Sequence, residues 1–202
     1  MFAWKNVIGI NYDLISKPSF NVFIDIGAAV LKFYVFDNNG NFILQRVEHK
    51  PRKSKLIMGG YQITKVLQKK FEMSYEEAEA VKKRENKRLK PEILEKIIHN
   101  VVSDWSKSIL STLDFLKTSY PHEKINHVFL CGGSSKLPGI DTTLSELLRF
   151  PIEIFNPFNR IDFGPFKNNR EYVESVAPHM AIAVGLAARS FENAPLRNFI
   201  EA

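Results

Sequence analysis

Three short apolar runs, at residues 22–26, 31–36 and 42–47, follow one another closely near the start of the chain. Gly27-Ala28-Ala29 joins the first to the second, and Asp37-Asn38-Asn39-Gly40 joins the second to the third. Asn-Gly between two β-rich runs is a strong hairpin signal, so the three runs predict an antiparallel meander. Upstream, Val7-Ile8-Gly9-Ile10 reads as one more short strand, and Ser16-Lys17-Pro18-Ser19 as a break. From residue 61 the apolar period becomes helical. Residues 61–71 predict one helix, and Ser74 starts another, with Glu77 three residues on completing a capping box. Pro91-Glu92 opens the longest helix, since proline suits the first turn and an acid suits its positive end. Leu94, Ile98, Val101, Trp105, Ile109, Leu113 and Leu116 then share one face, which predicts packing against a sheet. A strand at 127–131, a glycine turn, a helix at 140–148 and a strand at 152–155 come next. A polar and aromatic loop at 159–170, a helix at 176–191 and a loose tail complete the pattern.

The order β-β-β-α-(α)-α-β-α-β-α predicts an α/β fold: a mixed sheet flanked by helices. Composition narrows the setting. The single cysteine, Cys131, can form no internal disulfide, which fits a reducing cytoplasm. The start of the chain lacks the pattern of a cleaved leader. The longest apolar stretch, at 177–188, is interrupted by His179 and falls short of the ~20 residues a membrane span needs. The net charge of +6 gathers at Lys50, Arg52, Lys53 and Lys55 and again at Lys82, Lys83, Arg84, Lys87, Arg88 and Lys90. Neither cluster interleaves aromatic residues for base stacking, so solvated faces are expected rather than a specific nucleic-acid site.

Four segments carry candidate chemistry. The run 128–139 is a buried strand that delivers Gly132 and Gly133 to its C-terminal end, where open α/β sheets bind ligands. Two glycines let a flat group approach the backbone, and Ser134, Ser135 and Lys136 stand beside it as donors. Asp25 and Gly27 end the first strand. Such a loop can hold phosphate through its amides, with Asp25 taking magnesium through water. Gly59 and Gly60 precede a helix whose N-terminal amides could face a phosphate, with Thr64 one turn on. Glu79 and Lys82, three apart, share a helix face and either pair at the surface or grip ribose hydroxyls. Taken singly, a plain turn, a strand-end acid, loop punctuation and a surface ion pair explain them as well.

Their collinear order resembles the second lobe of actin-like ATPases, a ribonuclease H-like fold. By that resemblance Asp25 and Gly27 match the second phosphate loop, Glu79 and Lys82 the ribose pair, and Gly132, Gly133, Ser134 and Lys136 the adenosine motif. Further segments narrow the likeness. Gly59-Gly60-Tyr61-Gln62-Ile63-Thr64, Ala78-Glu79-x-x-Lys82, Ser111-Thr112-Leu113-Asp114-Phe115, Phe155-Asn156-Pro157-Phe158 and the closing Gly185-Leu186-Ala187-x-Arg189 resemble the PilM family of type IV pilus assembly proteins, relatives of FtsA. The resemblance implies a cytoplasmic component of the inner-membrane assembly platform that binds ATP with Mg. Its implied partners are the cytoplasmic tail of PilN and, indirectly, PilO and the motor ATPases. The same machinery serves twitching motility.

The resemblance also divides the chain: 1–20 as a remnant of a first lobe or an N-terminal extension, 21–192 as the second lobe with a small helical subdomain at about 60–90, and 193–202 as a flexible tail. Asn11-Tyr12-Asp13 stands where the first phosphate loop would carry Asp-x-Gly, and Ala28, Ala29 and Val30 bring no hydroxyl to the second. The expectation is therefore a scaffold with a partial ATP site, ATP held weakly or not at all, and no catalytic residues. An active actin-like ATPase and a basic nucleic-acid-binding ribonuclease H-like protein are the alternatives. The final helix, with parts of the segment 14–20, is expected to leave an apolar side free for a partner or for self-association.

Overall fold

The computed structural model describes residues 2–11, 19–37, 39–48, 58–164 and 169–191. Its core is a five-stranded sheet in the order β3-β2-β1-β4-β5. Strands β1 (Phe20–Ile26), β2 (Leu31–Phe36) and β3 (Phe42–Glu48) form the expected meander, antiparallel throughout. Strands β4 (Ile125–Cys131) and β5 (Ile152–Ile154) continue the sheet in parallel with β1. Residue 38 in the second hairpin, the basic cluster at 50–55 and the tail from 192 lie outside the described residues.

The central strands are buried on both faces, as continuous apolar runs demand. Val22, Ile24 and Ile26 join the core beneath the long helix α4 (Pro91–Ser119). Every residue of the predicted α4 stripe is buried there. Helices α2 (Tyr61–Phe71) and α3 (Tyr75–Lys82) feed Ile63, Leu67, Ala78 and Val81 into the same core. Buried Trp105 of α4 donates its indole N–H to Gln62 of α2 at 3.0 Å, so the helix pair is fixed by a satisfied polar contact as well as by packing. The capping box at Ser74 is present in both directions. Helix α5 (Ile140–Leu148) completes this side.

The other face holds two corrections. Residues 7–10 are not a strand: they end helix α1 (Phe2–Ile10). Ala3, Trp4, Val7, Ile8 and Asn11 are buried while Lys5 and Gly9 are exposed, a helical stripe that a four-residue apolar window conceals. Trp4 packs between the rings of Phe23 and Tyr34 at 5.0 and 4.9 Å. The predicted helix at 176–191 is likewise broken, into a 3-10 turn (Ala177–His179), helix α7 (Ala181–Ala187) and a second 3-10 turn (Ala188–Phe191), and a further helix, α6 (Arg170–Val176), precedes it. Pro178 has no amide to continue the ladder. Ala181, Val184 and Gly185 of α7 face inward, and Asn6 of α1 donates to the Gly185 carbonyl at 3.0 Å. Its outer face exposes Ile182 and Leu186, with Met180 just before. Of the segment 14–20 expected to be open beside it, Ser19 and Phe20 are buried and the rest lies outside the described residues.

Candidate nucleotide cleft

Parallel pairing sets Asp25 of β1 beside Cys131 of β4, so both strands deliver their ends to one edge of the sheet. Gly132 follows with φ of +83°, and a Cβ there would collide with the Asp25 carboxylate and the Ile26 carbonyl. Only glycine fits this approach. The Gly132 amide donates to Pro178 O at 2.8 Å, which carries the 3-10 turn and its His179 over Gly133. The chain then makes a 3-10 turn (Gly133–Lys136) before α5.

The hairpin loop after β1 is pinned from two sides. Gly27 O accepts from the Gly60 amide at 3.0 Å and from Ser134 Oγ at 3.1 Å. The Tyr61 amide donates to Ala28 O at 2.9 Å. The first amides of α2 are therefore spent on the hairpin rather than left for a phosphate. Gly59 and Gly60 allow this closeness: a Cβ on Gly59 would meet the Gly27 carbonyl, and one on Gly60 would meet Ser134 Oγ. The amides of Ala28 and Ala29 make no hydrogen bond among the described residues, and both residues are exposed.

Glu79 and Lys82 form an ion pair at 2.5 Å. Thr64, fully buried, bridges them: its hydroxyl donates to Glu79 and accepts from Lys82 Nζ at 3.0 Å. Burial pushes the Glu79 carboxyl up, but the hydrogen bonds from Lys82 and Thr64 and the charges of Lys82 and Lys83 outweigh it and hold Glu79 below its usual range. Asp25 goes the other way. Burial raises it, and the Lys32 charge opposes the rise only in part.

These elements enclose a cleft of about 430 Å³, within the range of small-molecule sites. Of the sequence-derived candidates, Gly60, Glu79, Lys82, Gly133, Ser134 and Lys136 line it, joined by Ala28. Asp25, Gly27, Gly59, Thr64 and Gly132 do not: Gly27, Gly59 and Thr64 bond to or press against residues that do, and Asp25 lies behind Gly132. Sequence reading missed Tyr61, Tyr75, Lys83, Glu85, Leu137, Pro138 and His179 on the lining. Tyr75 was detectable from its spacing, four and seven residues before Glu79 and Lys82. His179 enters the sequence reading as a break in an apolar run, without a role at a site.

The donor set fits an anionic ligand with a sugar and a flat group. Lys83 and Lys136 add charge beyond the neutralised Glu79–Lys82 pair, against the single acid Glu85. The fit to magnesium is narrower. Among the described residues no cluster of three or more His, Cys, Asp or Glu is arranged to hold a metal. Glu79 is committed to Lys82, Glu85 lines the cleft and Asp25 does not, so Asp25 would meet an ion only through water, a mode Mg²⁺ favours.

The family described as type IV pilus assembly protein PilM matches residues 5–191. Among solved structures, the PilM-PilN type IV pilus biogenesis complex is similar with a TM-score of 0.72 at 22% identity, over 93% of this chain and 51% of that one. Ethanolamine utilization protein EutJ from Carboxydothermus hydrogenoformans gives 0.59 at 17%, over 93% and 52%. Ta0583, an archaeal actin homolog in complex with ADP, gives 0.60 at 14%, over 95% and 56%. The chain thus spans about half the length of the structures it matches. At these identities they establish the actin-like fold.

Proposed function

The chain belongs to the type IV pilus assembly protein PilM family, and from that premise we propose that it is a scaffold component of the pilus assembly platform that supplies one wall of an adenine-nucleotide site. The observation that carries the reading is convergence. Segments at 25–28, 59–64, 79–82 and 132–136, separated along the chain, meet at one cleft through the Gly27, Gly60 and Ser134 contacts. Structural economy alone gives no reason to gather at one cleft an aligned ion pair, two exposed amides and two lysines, Lys83 and Lys136, that form no ion pair at hydrogen-bonding distance among the described residues.

Glu79 and Lys82 would take the ribose, and Gly133, Ser134 and Lys136 the rest of the nucleoside. Asp25 would hold Mg²⁺ through water. The bound ion would supply charge neutralisation at the phosphates. Binding rather than hydrolysis is the proposed role, because Asn11-Tyr12-Asp13 stands where the first phosphate loop would carry Asp-x-Gly. The cleft is walled by exposed residues, including Gly133, Lys136 and His179, so most of the ligand would remain in water and affinity should be low.

The proposed protein partner is the cytoplasmic tail of a PilN-type protein, the partner of the similar solved complex. Among the described residues no helix is long and apolar enough to cross a membrane. Membrane association would then come through that partner, on the cytoplasmic side. Calorimetric titration with Mg-ATP, beside a phosphate-release assay, tests the nucleotide reading. Weak binding without turnover is expected. Steady phosphate release would replace the scaffold with an active ATPase, and no binding at millimolar nucleotide would remove the site.

A further inference from the structure

Helix α3 buries Ala78 and Val81, yet its next face also carries a pattern. Tyr75, Glu79 and Lys82 stand at i, i+4 and i+7, one stripe along the helix. All three line the cleft. Glu79 and Lys82 are tied down by Thr64. Tyr75 is not needed by the core: 49% of its surface is exposed. An aromatic ring left this open on a short helix wants an explanation.

Its backbone is nonetheless rigid. Ser74 Oγ accepts from the Glu77 amide at 3.1 Å, and Glu77 returns the bond to the Ser74 amide at 3.0 Å. Tyr75 is the first residue after that cap. The Tyr61 ring lies 6.1 Å away, tilted by 56°, and limits the positions Tyr75 can take. Leu137 and Pro138 give the cleft an apolar lining that a flat heterocycle can cover.

We infer that Tyr75 is the stacking platform for the base of the nucleotide whose ribose the Glu79–Lys82 pair takes, an inference that rests on the nucleotide reading of this cleft. A base is flat and apolar on its faces, and stacking on an aromatic side chain needs no particular edge pattern. The stripe then reads a nucleoside in order along α3: base at Tyr75, sugar at Glu79 and Lys82.

The test compares three ligands, Mg-ATP, adenosine and inorganic tripolyphosphate, on the full 202-residue chain by NMR titration, which reads millimolar binding. The variants are Tyr75→Phe, Tyr75→Ala and Tyr75→Leu. Tyr75→Phe keeps the ring and should bind ATP within about twofold of the parent. Tyr75→Ala and Tyr75→Leu should weaken ATP and adenosine alike, by about tenfold or more, and leave tripolyphosphate unchanged. Tyr75→Leu keeps apolar bulk, so a loss there belongs to the flat ring and not to folding. Equal ATP affinity in Tyr75→Ala and the parent overturns the inference while the nucleotide site stands. Weakening of tripolyphosphate to the same degree also overturns it. Absence of any ATP or adenosine shift in the parent overturns both.

Discussion

Gly185 of α7 lies with its Cα directly against the backbone carbonyl of Ala3 in α1, with no space for a side chain between them. The near-terminal helices of the described chain are thereby locked together and onto the sheet face that carries Trp4 and Phe23. Gly185→Ala tests the lock. In an open helix alanine would stabilise by about 1 kcal/mol over glycine. Here the added methyl must push α1 and α7 apart, an overpacking cost of roughly 1–3 kcal/mol on top of the lost Asn6 contact. Net destabilisation is expected in urea unfolding. An unchanged or higher midpoint would show that α1 does not hold this position.

The same kind of closeness at Gly60 involves a side chain, which makes it separable. A methyl on Gly60 would displace Ser134 Oγ and break its bond to Gly27 O. Gly60→Ala should therefore cost more stability in the parent than in a Ser134→Ala background, where the hydroxyl is already gone. A double-mutant cycle measures the difference, expected at about 1 kcal/mol. Strict additivity would mean that Gly60 and Ser134 do not share the hairpin carbonyl.

Two carboxylates in the cleft region should respond to pH with opposite signs. Glu79 has its folded pKa held below the unfolded value, so the folded state binds fewer protons across that window. Its contribution is complete above about pH 5 and is lost as pH falls through the folded value. Asp25 has its folded pKa raised, so ionisation is costlier in the folded state. Stability is lost as pH rises from the unfolded to the folded value, and the deficit persists at neutral pH. Glu79→Gln should flatten the acid limb of stability against pH, while Asp25→Asn should raise stability at pH 7. Thermal melts from pH 3.5 to 7.5 read both. A destabilised Asp25→Asn at pH 7 would mean that the carboxylate has a compensating partner.

Much of this was legible in the chain because the signals were local. The 42–47 run, the Ser74–Glu77 cap, the α4 stripe and the helix at 140–148 each follow from periodicity or capping within one window. What failed depended on distant partners. Residues 7–10 look like a strand until Trp4 and Asn11 are seen to share their buried side, which only the sheet face reveals. Gly59 and Gly60 read as a phosphate-facing helix start, but Gly59 presses on Gly27 and Ala28 and Gly60 on Ser134, all distant in sequence. Glu79 and Lys82 were readable from spacing. Tyr75 shares their helical stripe and was readable from the same spacing, whereas His179 reaches the cleft through a single side chain with no repeat to announce it.

Thr64 is the most informative of these misplacements. It matches the nucleotide motifs in order, yet it is fully buried and does not line the cleft. Its hydroxyl sits behind the ion pair, donating to Glu79 and accepting from Lys82, with Gly60 O 3.3 Å away. It is a positioning residue. Thr64→Val keeps the shape and removes the hydroxyl, leaving Glu79 one donor short and Lys82 one acceptor short. A stability loss of about 1 kcal/mol is expected, with nucleotide affinity falling because the pair is free to turn. Thr64→Ser restores the hydroxyl and should recover affinity even where the lost methyl leaves stability reduced. Recovery by serine separates the hydroxyl from the packing. If valine binds nucleotide as the parent does, the pair needs no brace, and the buried hydroxyl serves folding alone.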